Sequence, residues 1–442
     1  MRSVEDQLEM VIDAAVMPEP IRVGIGDALG LMCAEEVTAG KPLPGFNQAA
    51  VDGYAVRAVD VGGATGISRG ERGSDSTPPA AEAGDDARRG EAAQPEATRE
   101  RALPVVGEVA AGSQKPLRLQ PKQAVRVATG APLPTLADAV LPLAWSDRGK
   151  KRVTPQRPVR SGDFVRRAGD DIQPGDVAVR AGSLLGPAQI GLLAAAGRDK
   201  VLAYPRPRVS VLSYGLELVD VDREPGLGQV FDVASYAVAA AAAEAGGDVH
   251  RVGIINAEPR QLKETVANSV SRSELVIITG AVGGSGADAI QAVLRDLGEL
   301  DTTRVAMHPG SVQGFGLLGE ERIPVFLLPS NPVAALVIAE TIVRPTIRAS
   351  LGKSATSRRT VRARSLRAIE SIGGRRGYIR ARLMRDADTG DYLVESLGGL
   401  AGSPAHLLAG FAEANAMIRL PEGITYVRPG EVVDVEFLQQ RS

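Results

Sequence analysis

The chain has 442 residues, 44% of them hydrophobic but only 3% aromatic, with 51 basic residues against 53 acidic ones. That length implies two to four domains with sizeable cores, and a net charge of −2 argues against nucleic acid as the main partner, which would need a basic excess or patch. Cys33 is the only cysteine, so there is no intrachain disulfide, and with three histidines a Cys/His metal site is not expected.

No apolar run reaches the roughly 18 residues of a transmembrane span. Met1 to Pro18 reads as an amphipathic helix carrying acids, not as a signal peptide with a basic start. A cytoplasmic, reducing compartment is the expectation. Ser3 with Asp6 three residues on forms a capping-box variant, and Val4, Leu8, Val11 and Ala15 line one helical face. Pro18 and Pro20 end the helix, and Ile21 to Ile25 reads as a short strand.

Pro42 to Arg57 (PLPGFNQAAVDGYAVR) places Asp52-Gly53 in a turn before a strand at Tyr54 to Val56. By spacing alone Asp52 is a turn former. Ser68 to Arg101 contains no Ile, Leu, Val, Phe, Tyr or Trp. Such a stretch cannot bury enough apolar area to offset ordering, so a disordered insertion within a domain is expected. Leu103 to Trp145 alternates short apolar runs with Gly and Pro, as a small β domain does, and Thr129-Gly130 marks a turn inside it. Val153 to Ile172 reads as further strand, ending with Arg166, Arg167, Asp170 and Asp171.

From Arg208 strands and helices alternate. Strands are expected at Arg208 to Ser213, Val249 to Ile255 and Leu275 to Ile278, near Arg304 to Met307, and at Pro324 to Leu328. Helices are expected at Asp232 to Ala245, Pro259 to Ser271, Ala287 to Glu299 and Pro332 to Leu351. This alternation predicts a mostly parallel, doubly wound α/β sheet with ligands at the carboxyl ends of its strands. At one such end Gly280, Gly283, Gly284 and Gly286 lie between the Leu275 strand and the following helix. A strand, a glycine-rich turn and a helix can present backbone N–H groups to an anion, or simply connect two elements tightly. No Lys-Ser/Thr pair follows, so this is not a Walker loop. Leu327 to Pro332 (LLPSNP) is a second strand-to-helix turn at the same edge. After Lys353 the chain is β-rich, with turns at Gly373-Gly374, Asp388 to Asp391 and Gly398-Gly399.

Taken together, PGFNQAAVDGYAVR, RVATGAPLPTLADAV, FVRRAGDDI, the strand-loop-helix around Asp288, HPGSVQGFG and LLPSNPVAA carry a resemblance over nearly the whole chain apart from the insertion. The sequence is similar to the molybdopterin molybdenumtransferases, the MoeA family that includes the gephyrin E domain. The resemblance implies four subdomains: I at 20–45 with 146–175, II at 46–145 with the 68–101 insertion, III at 1–19 with 176–350, and IV at 351–442. It implies a homodimer whose active site lies between the α/β subdomain of one chain and the small β subdomain of the other. It implies insertion of molybdate into adenylated molybdopterin with Mg²⁺ and release of AMP. The site would use Asp52, Thr129, Glu217 and Asp288 for catalysis, with Glu217 and Asp288 on the metal. Arg166, Arg167, Gly280, Gly283, Gly284, His308, Ser311, Ser330 and Asn331 would bind the substrate.

Several positions depart from the family's pattern. FDNSA reads Phe46, Asn47, Gln48, Ala49, Ala50, and TGDEL reads Tyr214, Gly215, Leu216, Glu217, Leu218. DDP reads Ala257, Glu258, Pro259, and KPGKP reads His308, Pro309, Gly310, Ser311, Val312. KPGKP thereby loses two phosphate-facing lysines, and TGDEL and DDP lose one acid each, at Leu216 and Ala257. The Met-His-Pro-Gly-Ser run resembles the actinobacterial gephyrin-like (Glp) branch. That resemblance implies a non-catalytic scaffold for cell division that binds the C-terminal tail of the tubulin-like GTPase FtsZ. Cofactors would then be none, whereas Mg²⁺ and molybdopterin belong to the transferase alternative.

Overall fold

A computed structural model describes residues 1–62, 102–115, 117–255, 258–284, 286–397 and 408–438. The expected insertion at Ser68 to Arg101 lies outside the described residues. The chain forms two compact units, one of residues 1–35, 181–186 and 200–442, the other of residues 36–180 and 187–199.

The first unit is built on a six-stranded sheet. Its order is Asp248–Ile254, Arg208–Ser213, Leu275–Val282, Ile323–Pro329, Gly314–Leu318, Gly298–Asp301. The first four strands run parallel, and the last two pairings, Ile323–Pro329 with Gly314–Leu318 and Gly314–Leu318 with Gly298–Asp301, are antiparallel, so the sheet is doubly wound with an antiparallel edge. Side-chain alternation explains the winding. Val209, Val211, Leu275, Ile277, Phe326 and Leu328 face one buried core, under the helices Val4–Asp13 and Val233–Ala245 and the long helical run from Pro332. Leu212, Val276, Ile278, Val325 and Leu327 face the other, under Pro259–Val270 and Ala287–Arg295. Strands buried on both faces read as continuous apolar runs.

Local signals set several boundaries. Ser3 caps the first helix, its hydroxyl accepting from the Asp6 N–H at 3.0 Å, as the capping-box reading expects. Asp232 and Asn331 cap theirs in the same way. Other boundaries moved. The helix expected to reach Glu299 stops at Arg295, because Gly298–Asp301 pairs with Gly314–Leu318. A Cβ at Gly298 would fall 2.3 Å from the Leu317 carbonyl oxygen, so the hairpin demands glycine there. The strand expected near Arg304 shrinks to Met307–His308 and pairs with Arg376–Gly377 of a different sheet. The long C-terminal helix is continuous but contains a π turn at Ala339–Val343, where the Thr341 hydroxyl donates to the Val337 carbonyl.

Residues Thr360–Phe437 form the expected C-terminal β domain. Its five principal strands close on themselves: Arg376–Arg385 pairs with Tyr392–Ser396, then Thr360–Ser365, Val432–Phe437 and Ala416–Leu420, and back to Arg376–Arg385. Closure removes exposed edges around a core that includes Ile379, Leu383, Val394, Ile418 and Val435.

The second unit holds a five-stranded sheet in the order Ala139–Pro142, Gly53–Val56, Ala124–Val127, Leu103–Val109, Arg152–Val153. Tyr54 and Val56 pack on one face and Ala55 and Val125 on the other. Between Val153 and Ile172, where further strand is expected, turns dominate and only Val165–Arg166 is extended and paired. The helix Pro187–Ala195 and the strand Lys200–Tyr204 have no counterpart in the sequence reading.

Candidate functional site

In the first unit three loops leave the carboxyl ends of parallel strands. The first follows Arg208–Ser213 and carries Glu217. The Tyr214 N–H donates to the Thr279 carbonyl at 2.9 Å, tying this loop to the central strand. The backbone of Gly280 (φ +79°) passes so close that a Cβ there would lie 1.9 Å from the Tyr214 carbonyl oxygen. The Tyr214 ring then sits 3.5 Å from where a Gly286 Cβ would be, at φ +92°. Gly280 is therefore required by close packing as well as by left-handed backbone, and Gly286 by left-handed backbone alone. Gly284 has no atom within 4 Å and a φ outside the left-handed region.

The glycine turn ends at the helix Ala287–Arg295, with Asp288 exposed in its first turn. A carboxylate there is favoured by the helix dipole alone. Glu217 is half-buried, its side chain folded back over Gly215. Among the described residues no three His, Cys, Asp or Glu side chains come together as metal ligands. The donor set therefore does not fit a Mg²⁺ held by protein ligands alone.

The third loop carries Ser330 and Asn331. Ser330 is exposed. The Asn331 side-chain oxygen accepts from the Val333 and Ala334 N–H groups at 3.0 and 3.1 Å, so this oxygen is committed to its helix cap. His308 ends the short strand Met307–His308, and Ser311 lies in the loop between it and Gly314–Leu318, where Val312 packs on the position of Gly283. Burial, and secondarily Arg375, hold the His308 pKa below its ordinary 6.5. The Ser311 hydroxyl is buried with no hydrogen-bond partner among the described residues.

In the second unit, Asp52 follows Gln48–Ala49 and Thr129 follows Ala124–Val127. The Thr129 backbone N–H and hydroxyl both donate to Asp52 Oδ1, at 2.7 and 2.8 Å. These two bonds, backbone first, hold the Asp52 carboxyl below the usual carboxylate range. Arg166 and Arg167 are exposed, and their guanidiniums have no carboxylate partner among the described residues. The Arg167 N–H donates to Asp170 Oδ2 at 2.7 Å.

Sequence reasoning missed a polar network beside the first loop. Asp232, 1% exposed, accepts from the hydroxyls of Ser213 and Ser235, each at 2.5 Å. Arg251 approaches Asp232 at 3.5 Å, bonds Asp220 at 2.7 Å and stacks on the Tyr236 ring with 3.8 Å to its centroid. Arg251, then Tyr236, pull the Asp220 pKa down to about 2. The sequence signal was slight: Asp232 reads only as a helix start.

The chain matches the MoeA N-terminal region (domain I and II) over residues 2–197, a probable molybdopterin binding domain over 210–349, and the MoeA C-terminal region (domain IV) over 362–438. It is 56% identical to a Mycobacterium tuberculosis protein named molybdopterin molybdenumtransferase 1, with 100% of both chains covered. It is 32% identical to molybdopterin molybdenumtransferase 2 of the same organism, over 98% of this chain and 99% of the relative. The crystal structure of a molybdopterin biosynthesis MoeA protein from Pyrococcus horikoshii superposes with a TM-score of 0.75 at 28% identity, covering 99% of each chain. With all three of its regions matched in order, and relatives aligned from end to end, the chain belongs to the MoeA family of molybdenum cofactor biosynthesis proteins.

Proposed function

We propose that this chain is a homodimeric, non-catalytic scaffold of the gephyrin-like kind that binds the C-terminal tail of the division GTPase FtsZ in the cytoplasm. His308 is the observation that carries the negative half. It stands where the family pattern has a phosphate-facing lysine, and burial keeps its imidazole neutral near pH 7. The missing positive charge is therefore not restored. Ser311, at the second lysine position, offers only a buried hydroxyl. The Asn331 side-chain oxygen is committed to its cap, and the acids lost at Leu216 and Ala257 leave few hard oxygen ligands. In this reading the chain divides at the four subdomain ranges given above, and the closed barrel after Leu351 supplies the peptide surface. A tail with a few apolar anchors would bind with a Kd of about 1 μM, roughly −8 kcal/mol.

A second reading, the active molybdenumtransferase, is favoured by the name of the full-length relative at 56% identity and by the intact Asp52–Thr129 pair. Glu217 and Asp288 would then contact Mg²⁺ jointly with substrate phosphates, and Arg166 and Arg167 would meet the anionic substrate. One preparation tested in two assays separates the readings. The first supplies adenylated molybdopterin, molybdate and Mg²⁺ and follows AMP release. The second titrates an FtsZ tail peptide by calorimetry. Peptide binding without turnover supports the scaffold. Steady AMP release without peptide binding restores the transferase, and activity in both makes the protein dual-function.

A further inference from the structure

A second polar cleft lies at the other edge of the α/β sheet. The helices Val233–Ala245 and Pro332–Ser350 start at the carboxyl ends of their strands. Their last turns therefore sit beside the amino ends, away from the glycine loops. There Glu244, Arg344 and Arg348 meet Arg358, Arg359 and the C-terminal barrel around a cleft of about 750 Å³. Small-molecule sites run from about 300 to 1,000 Å³.

The lining is unbalanced in charge. Glu244 pairs with Arg344 at 3.2 Å and with Arg358 at 2.6 Å, and Glu340 pairs with Arg358 at 2.9 Å. Those two carboxylates face four guanidiniums. Arg348 and Arg359 have no carboxylate partner among the described residues. Arg344 is only 8% exposed, yet its Nε has no hydrogen-bond partner among the described residues. A buried donor left without an acceptor is costly, and the two neighbouring guanidiniums without a carboxylate, Arg348 and Arg359, leave a positive charge that an anion would offset. The opposite wall is apolar: Phe411, Ala414, Phe437 and Leu438. The Arg359 guanidinium stands 5.8 Å from the centroid of the Phe437 ring.

We propose that this cleft binds a small organic anion, with a phosphate or carboxylate group on Arg344, Arg348 and Arg359 and a flat apolar body against Phe411 and Phe437. Planar guanidiniums suit both oxyanions, and the rings supply the area that a free inorganic ion would not use. The proposal rests on neither functional reading above, although Phe411, Ala414, Phe437 and Leu438 belong to the barrel that the first reading assigns to a peptide.

Two probes distinguish the anion: 2-naphthyl phosphate for the phosphate and 2-naphthoate for the carboxylate, each titrated into the full-length protein by calorimetry. At least one should bind saturably in the submillimolar range. 2-Naphthol and inorganic phosphate, which each lack half of the recognition, should bind at least about tenfold more weakly. The double variant Arg348→Gln/Arg359→Gln should weaken the bound probe by about tenfold or more, while Asp288→Asn at the catalytic-type loop leaves it unchanged. Absence of binding by both probes, or loss that follows Asp288→Asn instead of the arginines, overturns the proposal. Hydrogen exchange on the unmodified protein guards against a misfolded variant. The bound probe should protect residues 344–359 and 408–438, and protection confined to the loops after the parallel strands would also overturn the proposal.

Discussion

The hydroxyl and the backbone N–H of Thr129 converge on one oxygen of Asp52, at 2.8 and 2.7 Å. The two residues are 77 positions apart in sequence, and the pair exists only because their strands are neighbours in one sheet. Thr129→Ala removes one of the two bonds and should cost about 0.5–1 kcal/mol at neutral pH, since the pair is exposed. The Asp52 pKa is depressed in the folded state. Its contribution is therefore present above the unfolded value near 3.8 and fades as pH falls through the lower folded value. Urea unfolding of the two proteins at pH 7 and again near pH 3 should show the gap shrinking. A gap that widens in acid would sink this account.

Gly280 and Gly284 stand in one loop but under different constraints. Gly280→Ala puts a Cβ against the Tyr214 carbonyl in a left-handed backbone. It should destabilise by about 3 kcal/mol, strain and clash together. Gly284→Ala meets open space and should change stability by less than about 0.5 kcal/mol. Denaturation midpoints of the two variants test this directly, and equal midpoints would contradict the close approach.

Asp232 and Asp220 share Arg251 but differ in burial. Asp232→Ala leaves two buried serine hydroxyls and part of a guanidinium without an acceptor, a loss of about 3 kcal/mol. Asp220 is about a third exposed, so Asp220→Ala should cost about 1 kcal/mol or less. Thermal unfolding should rank the two variants in that order, with the reverse order refuting the assignment of Asp232 as the buried centre.

His308 should make stability fall in acid. Its folded pKa lies below 6.5, so between the folded and unfolded values the unfolded chain binds more protons. The neutral imidazole therefore contributes stability above about pH 6.5, and acidification through this window removes it. His308→Gln should flatten the pH dependence of the melting temperature between about pH 5 and 7. A profile unchanged by the substitution would place the titration elsewhere.

Much of this architecture is legible in the sequence because the signals are local. The strand Arg208–Ser213, the caps at Ser3 and Asp232, and the glycine turn before Asp288 depend on neighbours a few residues away. Six motifs in order carried the family, since each marks a turn whose backbone tolerates few residues. What the sequence could not reveal was which side chains the fold joins. Asn331 reads as a site residue and also caps a helix, and Asp232 reads as a cap but also anchors a buried ionic network. Gly298 reads as helix because only its partner Leu317, brought alongside by the hairpin, forces it into a strand. The unmatched arginines around Phe437 come from a helix end and a barrel entrance far apart in the chain. Periodicity and turn chemistry act over one or two turns of chain, so sequence alone determines elements and their order. Burial, charge balance and pKa arise from groups brought together across long separations, and only tertiary structure decides them.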